Sequence, residues 1–205
     1  SAAVKLRDLA SELDEVSAVV SNAGAGHFGG LEEFSVQQIQ ASIELNLTSH
    51  IVLIRAFLPG LKRHDLSDVV LMGSESALQG GRKGTLYCAA KFGLRGFAQS
   101  LRLDSASSGM RVTLINPGMV RTSFFDEQAF RPGPKEENAI EPGEVAQVVA
   151  DVLSARAGWA RASGEVETEI CVGESASKGG RVVARLEGLM SSEETSSNHC
   201  SMAEK

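Results

Sequence analysis

Three short apolar runs set the strongest limit on the fold: SAVVS (17–21), DVVLM (68–72) and RVTLI (111–115). Each is far too short to be a buried helix, and each lacks the polar alternation of a half-exposed strand. Short continuous apolar runs of this kind read as parallel strands buried on both faces. Longer stretches with helical spacing separate them. Strands alternating with helices give a mostly parallel sheet with helices on both sides, an α/β doubly wound, Rossmann-like fold. In such sheets ligands bind beyond the carboxyl ends of the strands. The residues that follow the three runs are therefore the first candidates for function: Asn22-Ala23-Gly24, Ser74, and Asn116-Pro117-Gly118.

The intervening segments complete the pattern. Val4, Leu6, Leu9 and Leu13 predict a helix over 4–14. A longer helical pattern runs from Ser35 to about Arg63, with a bend or break expected at Pro59-Gly60. Ser35 is its N-cap, with Gln38 at the capping-box position. A third helix is expected over Thr85–Ser107, ending near Gly109, and a fourth from Pro142 to about Ala155. EVETEICV (165–172) reads as the last strand. From Glu174 onward Ser, Glu, Lys and Gly dominate, so residues 174–205 read as a largely disordered tail, with one short helix around 182–190. Residues 1–173 read as one domain.

Charge and composition narrow the function. Lys and Arg number 20 and Asp and Glu 26, a net charge of −6, with no basic stripe to bind nucleic acid. No apolar run approaches the about 20 residues of a membrane span, and charges at Lys5, Arg7 and Asp8 argue against a secretory signal. Three scattered cysteines and no C-x-x-C argue against disulfides or zinc. The four histidines have no ligand spacing, so no metal site is expected. These features predict a cytoplasmic protein with reduced thiols. The chain opens on Ser rather than Met, which raises processing or truncation.

Tyr87, the sole tyrosine, and Lys91 stand four apart on the predicted third helix and share a face. A phenol, with a pKa of about 10, is a poor acid–base group at neutral pH. A nearby ammonium favours the phenolate, so the pair can make a usable general acid or base. Taken alone, Tyr-x-x-x-Lys is also an ordinary helix surface. Ser74, thirteen residues earlier at a strand end, can offer a hydroxyl beside the phenol, or be a loop serine.

In combination these residues become specific. GSESALQGGRKGTLYCAAKFGLRGFAQSLRLD (73–104) resembles the active-site segment of the short-chain dehydrogenase/reductase family. Asn22-Ala23-Gly24, Asn46 in LNLTS, and the run Asn116-Pro117-Gly118-Met119-Val120-Arg121-Thr122 resemble three further family motifs, in family order. The resemblance implies a hydride-transfer site using NADP or NAD. Tyr87 would exchange a proton with the substrate oxygen. Lys91 would lower the Tyr87 pKa and hold the nicotinamide ribose. Ser74 would bond the substrate oxygen, and Asn46 would hold a relay water. Pro117, Gly118, Val120 and Thr122 would grip the nicotinamide, and Asn22, Ala23 and Gly24 would line the adenosine side. LINPGMVRTSFFDE followed by EVETEI resembles NADP-dependent reductases of small hydroxy acids, which favours NADP. Phe124, Phe125 and Phe130 resemble the family's substrate-covering segment and read equally well as core.

Gly24-Ala25-Gly26-His27-Phe28-Gly29 spells G-x-G-x-x-G, yet LEEFS intervenes before a helix can aim its N-terminus at a pyrophosphate. The family's own phosphate loop, T-G-x-x-x-G-x-G, does not occur in the sequence. The resemblance therefore implies an incomplete sheet, with SAVVS at its edge. It also implies a homo-oligomer built on the helices at 36–63 and 85–107. A rival reading is a catalytically inactive fragment that keeps this helical interface.

Overall fold

The computed structural model describes residues 2–13, 15–126, 128, 130–134, 139–155, 169–174 and 182–187. Its centre is a five-stranded sheet in the order β1-β2-β3-β4-β5, formed by Ala18–Ser21, Ser67–Met72, Met110–Pro117, Glu169–Glu174 and Val182–Glu187. The first four strands are parallel, and Val69 pairs in register with both Val19 and Val112. β5 runs antiparallel to β4, with Glu187 opposite Glu169. The short helix expected near 182–190 is thus a strand. Its residues VVARLE are rich in β-branched and apolar side chains, and pairing along β4 outweighs a weak local helical period. The rest of the expected tail and residues 165–168 of the expected last strand lie outside the described residues.

Helices cover both faces. α1 (Ala2–Glu12), α3 (Ser49–Leu61) and α4 (Thr85–Ser105) lie on one side. There Val19, Val69, Leu71, Val112 and Leu114 pack with Ile54, Phe57, Leu61, Leu94 and Leu101. α5 (Pro142–Ser154) covers the other side, where Val145 and Val149 meet Val70, Ile115, Ile170 and Val172. The period-two alternation sends Val69 and Leu71 to one core and Val70 to the other, which explains the unbroken apolar run. Full burial of each such side chain stabilises the fold by about 1.5–3 kcal/mol. β1 is covered on one face: Val19 is buried and Val20 is 41% exposed. Arg111 locks α5 to the sheet. It forms a two-pronged ion pair with Asp68, its neighbour in register, and also donates to the carbonyls of Val152 and Ala155 at the end of α5.

The long helical segment begins as the sequence predicts. The Ser35 side chain accepts from the Gln38 N–H and the Gln38 side chain accepts from the Ser35 N–H, opening α2 (Val36–Ile43). Its irregularity is not where proline suggests. α3 runs through Pro59 to Leu61, and the distortion lies at Glu44–Thr48, a single π-turn. Asn46 supplies the cause. Its side-chain Nδ2 donates to the Ser42 carbonyl at 3.0 Å, taking an acceptor from the i→i−4 ladder. By length and composition the 26 residues Val36–Leu61 could cross a membrane, a possibility that counting unbroken apolar runs overlooks. Here Ile54, Phe57 and Leu61 turn into the sheet core.

At the α4–β3 turn Gly109 has φ +68°, and a Cβ there would lie 2.5 Å from the Asp65 carbonyl oxygen, so this position requires glycine. β3 continues through Asn116 to Pro117, and Gly118 N–H then donates to Val172 O at 2.8 Å.

Candidate active site

A cavity of about 1270 Å³ opens at the carboxyl ends of β1, β2 and β3. Asn22, Gly24, Ser74, Tyr87, Lys91, Pro117, Gly118, Val120 and Thr122 all line it. Segments up to a hundred residues apart in sequence thus meet at the place the strand order predicts. Asn46 and Ala23 do not line it: Asn46 is buried behind the loop that does, and Ala23, between Asn22 and Gly24 in that loop, is exposed.

Tyr87 and Lys91 occupy the first two turns of α4, 7% and 3% exposed. Lys91 Nζ donates to the Met72 carbonyl at 2.9 Å and sits 5.7 Å from the centre of the Tyr87 ring. Burial pulls the Lys91 pKa down to about 8, which leaves it mostly charged at neutral pH. Burial pushes Tyr87 up to about 12, against a hydrogen bond from Ser74 that lowers it. The expected lowering of the phenol pKa by Lys91 is not seen. The phenol lies among Phe28 and Phe124, with ring centres 5.2 and 5.8 Å away, and this desolvation outweighs the other influences. At neutral pH Tyr87 is therefore a protonated donor.

Ser74 follows β2, where its own hydroxyl accepts from the Ser76 N–H at 3.1 Å, which fixes the side-chain oxygen. Asn46 is fully buried. Its amide brackets Ala25, with Oδ1 accepting from the Ala25 N–H and Nδ2 donating to the Ala25 carbonyl, both at 3.0 Å. With a second Nδ2 bond to Ser42, both of its donors serve the loop and the helix rather than a relay water. A Cβ on Gly24 would come within 3.1 Å of Asn46 Oδ1 and 3.8 Å of Lys91 Nζ, so the loop passes close over both. Thr122 caps a short 3-10 turn, accepting from the Phe124 N–H at 3.3 Å.

Phe124, Phe125 and Phe130, singled out in the sequence, line the cavity. Other participants were not anticipated. Phe28 packs on Tyr87 and on Phe130, with ring centres 5.2 and 4.9 Å apart, so the phenylalanines form one wall of the cavity. Gln128 Nε2 donates to the Gly26 carbonyl at 2.9 Å, bridging that wall to the loop after β1. His50, fully buried, lies with Nδ1 2.6 Å from the Ser21 hydroxyl. Burial first, and then the Lys91 charge, lower its pKa to about 4. Glu75 lines the cavity, and burial raises its pKa. A lone histidine on a helix and a glutamate beside the serine carry no sequence signal; only their burial marks them.

Residues 3–131 match the family model described as short chain dehydrogenase. The chain belongs to the short-chain dehydrogenase family. Among curated relatives of this short-chain dehydrogenase, the mouse 17-beta-hydroxysteroid dehydrogenase type 1 is 36% identical over 124 residues, covering 60% of the chain and 36% of the relative. The uncharacterized oxidoreductase YmfI of Bacillus subtilis is 31% identical over 157 residues, covering 73% and 64%. The D-beta-hydroxybutyrate dehydrogenase of Cupriavidus necator is 31% identical over 136 residues, covering 66% and 53%. In three dimensions the chain is similar to an alcohol dehydrogenase from the archaeon Thermococcus sibiricus, solved with 5-hydroxy-NADP. That similarity has a TM-score of 0.68 and 26% identity, over 83% of this chain and 69% of that one. The chain spans little more than a third of the length of the mouse relative it matches.

Proposed function

We propose that this short-chain dehydrogenase carries the reaction centre of an oxidoreductase that interconverts an alcohol and a carbonyl by hydride transfer with NAD(P)(H). The observation that carries this reading is the convergence of a protonated phenol, an ammonium and a fixed serine hydroxyl on one cavity at the strand ends. Tyr87 donates its proton to the carbonyl oxygen in reduction and takes one from the alcohol in oxidation. Ser74 bonds the same oxygen and stabilises the charge that develops on it. Asn46 holds the loop at Gly24 and Ala25 against Lys91.

The residues present fit the nicotinamide end of a dinucleotide. Lys91 gives one of three N–H donors to Met72 O, and the close pass at Gly24 leaves backbone, not side chain, beside it. Asn22, Gly24, Lys91, Pro117, Gly118, Val120 and Thr122 would hold the group, which supplies the hydride when bound. NADP is our preferred cofactor; the archaeal structure was solved with an NADP derivative. The phenylalanine wall favours an apolar substrate, in keeping with the hydroxysteroid dehydrogenases among the relatives. A homo-oligomer is proposed through α4, where Phe92, Gly96 and Leu103 are all exposed along one helix face; Phe92 is 43% and Leu103 71% exposed. Phe92→Glu should then lower the mass seen by light scattering.

A thermal-shift titration with NADPH and NADH tests the reading. A saturable rise in melting temperature, larger with NADPH, is expected, because a ligand of the folded state stabilises it by mass action. No shift with either, together with no turnover of any apolar ketone, would leave the inactive-fragment reading in its place.

A further inference from the structure

β2, β3, β4 and α4 meet at a buried polar chain that ends on Ser74. Asn116, at the end of β3, is fully buried. Its Oδ1 accepts from the Ser74 N–H at 3.1 Å, and its Nδ2 donates to Glu169 Oε1 at 2.5 Å. Glu169, at the start of β4, is 3% exposed, and Arg95 Nε lies 3.0 Å from its carboxylate. Arg95 is one turn beyond Lys91 on the same helix. The carboxylate can only accept, so it turns the Asn116 Nδ2 toward itself and leaves Oδ1 facing Ser74. Arg95 keeps the buried carboxylate from standing unpaired, which would be costly.

The same amide presses on the backbone between the two reacting groups' anchors. A Cβ on Gly73 would lie 2.0 Å from Asn116 Oδ1. Gly73 N–H donates to Ile115 O at 2.7 Å, and Met72 O, one residue earlier, receives Lys91. The three residues Met72 to Ser74 therefore carry the lysine's acceptor at one end and the serine at the other, with Asn116 packed on the middle.

We propose that Asn116 and Glu169 are positioning residues for this site. Glu169 sets the orientation of the Asn116 amide, and Asn116 holds the Met72–Ser74 backbone in register with Tyr87 and Lys91. The catalytic part of this proposal rests on the oxidoreductase reading above. Glu169 lies beyond residues 3–131, where the family match ends, so nothing in that match assigns it.

The test combines amide exchange, which needs no turnover, with kinetics on NADPH and an apolar cyclic ketone. In Asn116→Ala the Ser74 amide should exchange at least about tenfold faster, while amides of Val70 and Leu94 keep their rates, as expected for a local opening. Its kcat should fall by about 100-fold, the scale of an ångström misplacement, with NADPH affinity little changed. In a Ser74→Ala background the same substitution should cost less than about threefold, because the two act as a unit. Asn116→Asp should be impaired by two facing carboxylates. Adding Glu169→Gln should restore both Ser74 protection and turnover, since the hydrogen bond re-forms with its polarity reversed. This reciprocal pair also serves if Asn116→Ala does not fold. Unchanged Ser74 exchange in Asn116→Ala, fully additive losses with Ser74→Ala, or no recovery in the reciprocal pair would overturn the proposal. Equal turnover by the wild type and Ser74→Ala would instead sink the oxidoreductase reading, with Ser74 exchange still deciding the positioning.

Discussion

The cavity has two walls held by different physics. On the polar wall Lys91 and Ser74 are tied by directed hydrogen bonds to Met72 and Asn116 at 2.9 and 3.1 Å, and Asn46 braces the loop from behind through Ala25 at 3.0 Å. On the aromatic wall Phe28, Phe124, Phe125 and Phe130 touch one another with ring centres 4.9–5.7 Å apart. Among its polar ties to the rest of the site are Gln128 on Gly26 O and the Phe124 N–H on Thr122. Hydrogen bonds fix direction, which proton transfer needs. Ring packing fixes volume and excludes water while tolerating small shifts in orientation. On the proposed reading, Ser74 and Lys91 are held by the directed wall, Tyr87 stands where the two walls meet, and the rings shape the space left for substrate.

Substitutions should separate the two walls, with the largest effect on the polar side. Tyr87→Phe should reduce turnover by about a thousandfold, within the range for losing a general acid, with NADPH binding kept in a titration. Retained turnover would remove Tyr87 from the mechanism. Asn46→Ala should cost about 2–3 kcal/mol in urea unfolding, because it leaves the Ala25 N–H and carbonyl without their partners. A loss below 0.5 kcal/mol, about the floor for one net hydrogen bond, would mean that water replaces the amide freely.

Titration sharpens the same contrast. His50 has its folded pKa lowered to about 4 from 6.5, so the unfolded chain binds a proton that the folded one refuses. Stability should fall as the pH drops from 6.5 toward 4, by up to about 1.4 kcal/mol per pH unit. His50→Gln should flatten that slope in unfolding curves. Lys91, lowered to about 8 from 10.5, acts in the opposite pH range: stability should rise as the pH climbs from 8 to 10.5. Lys91→Met should abolish this rise, raise stability at neutral pH by about 1 kcal/mol, and remove turnover. If the rise persists in that variant, another group causes it.

The aromatic wall should respond most gently. Phe130→Ala should raise the KM for an apolar ketone by about tenfold, the scale of lost apolar contact, with kcat nearly unchanged. Gln128→Ala should cost about 0.5–1.5 kcal/mol at most and raise that KM only a few fold. A large fall in kcat from either would mean that the aromatic wall also orients the reacting atoms.

Much of this was legible in the sequence. The apolar runs at β2 and β3 are buried on both faces as central strands must be, while the run at β1 lies at the edge with Val20 exposed, and Ser35 with Gln38 needs no tertiary contact to start a helix. Tyr87 and Lys91 share a face because helical geometry requires it. What failed to show did so for identifiable reasons. Pro59 lies so near the end of α3 that the helix absorbs it, whereas Asn46 distorts the helix through a side-chain bond that local propensity does not encode. VVARLE at 182–187 took its structure from β4, its neighbour in the sheet.

Spacing along the chain, then, was enough to specify the parallel strands, the start of α2 and which reactive side chains share a face, because these follow from repeat geometry within one element. It could not specify the Tyr87 environment, the Asn116–Glu169 contact or the burial of His50. Each of these depends on which distant side chains displace water around a group, and that is settled when the elements pack.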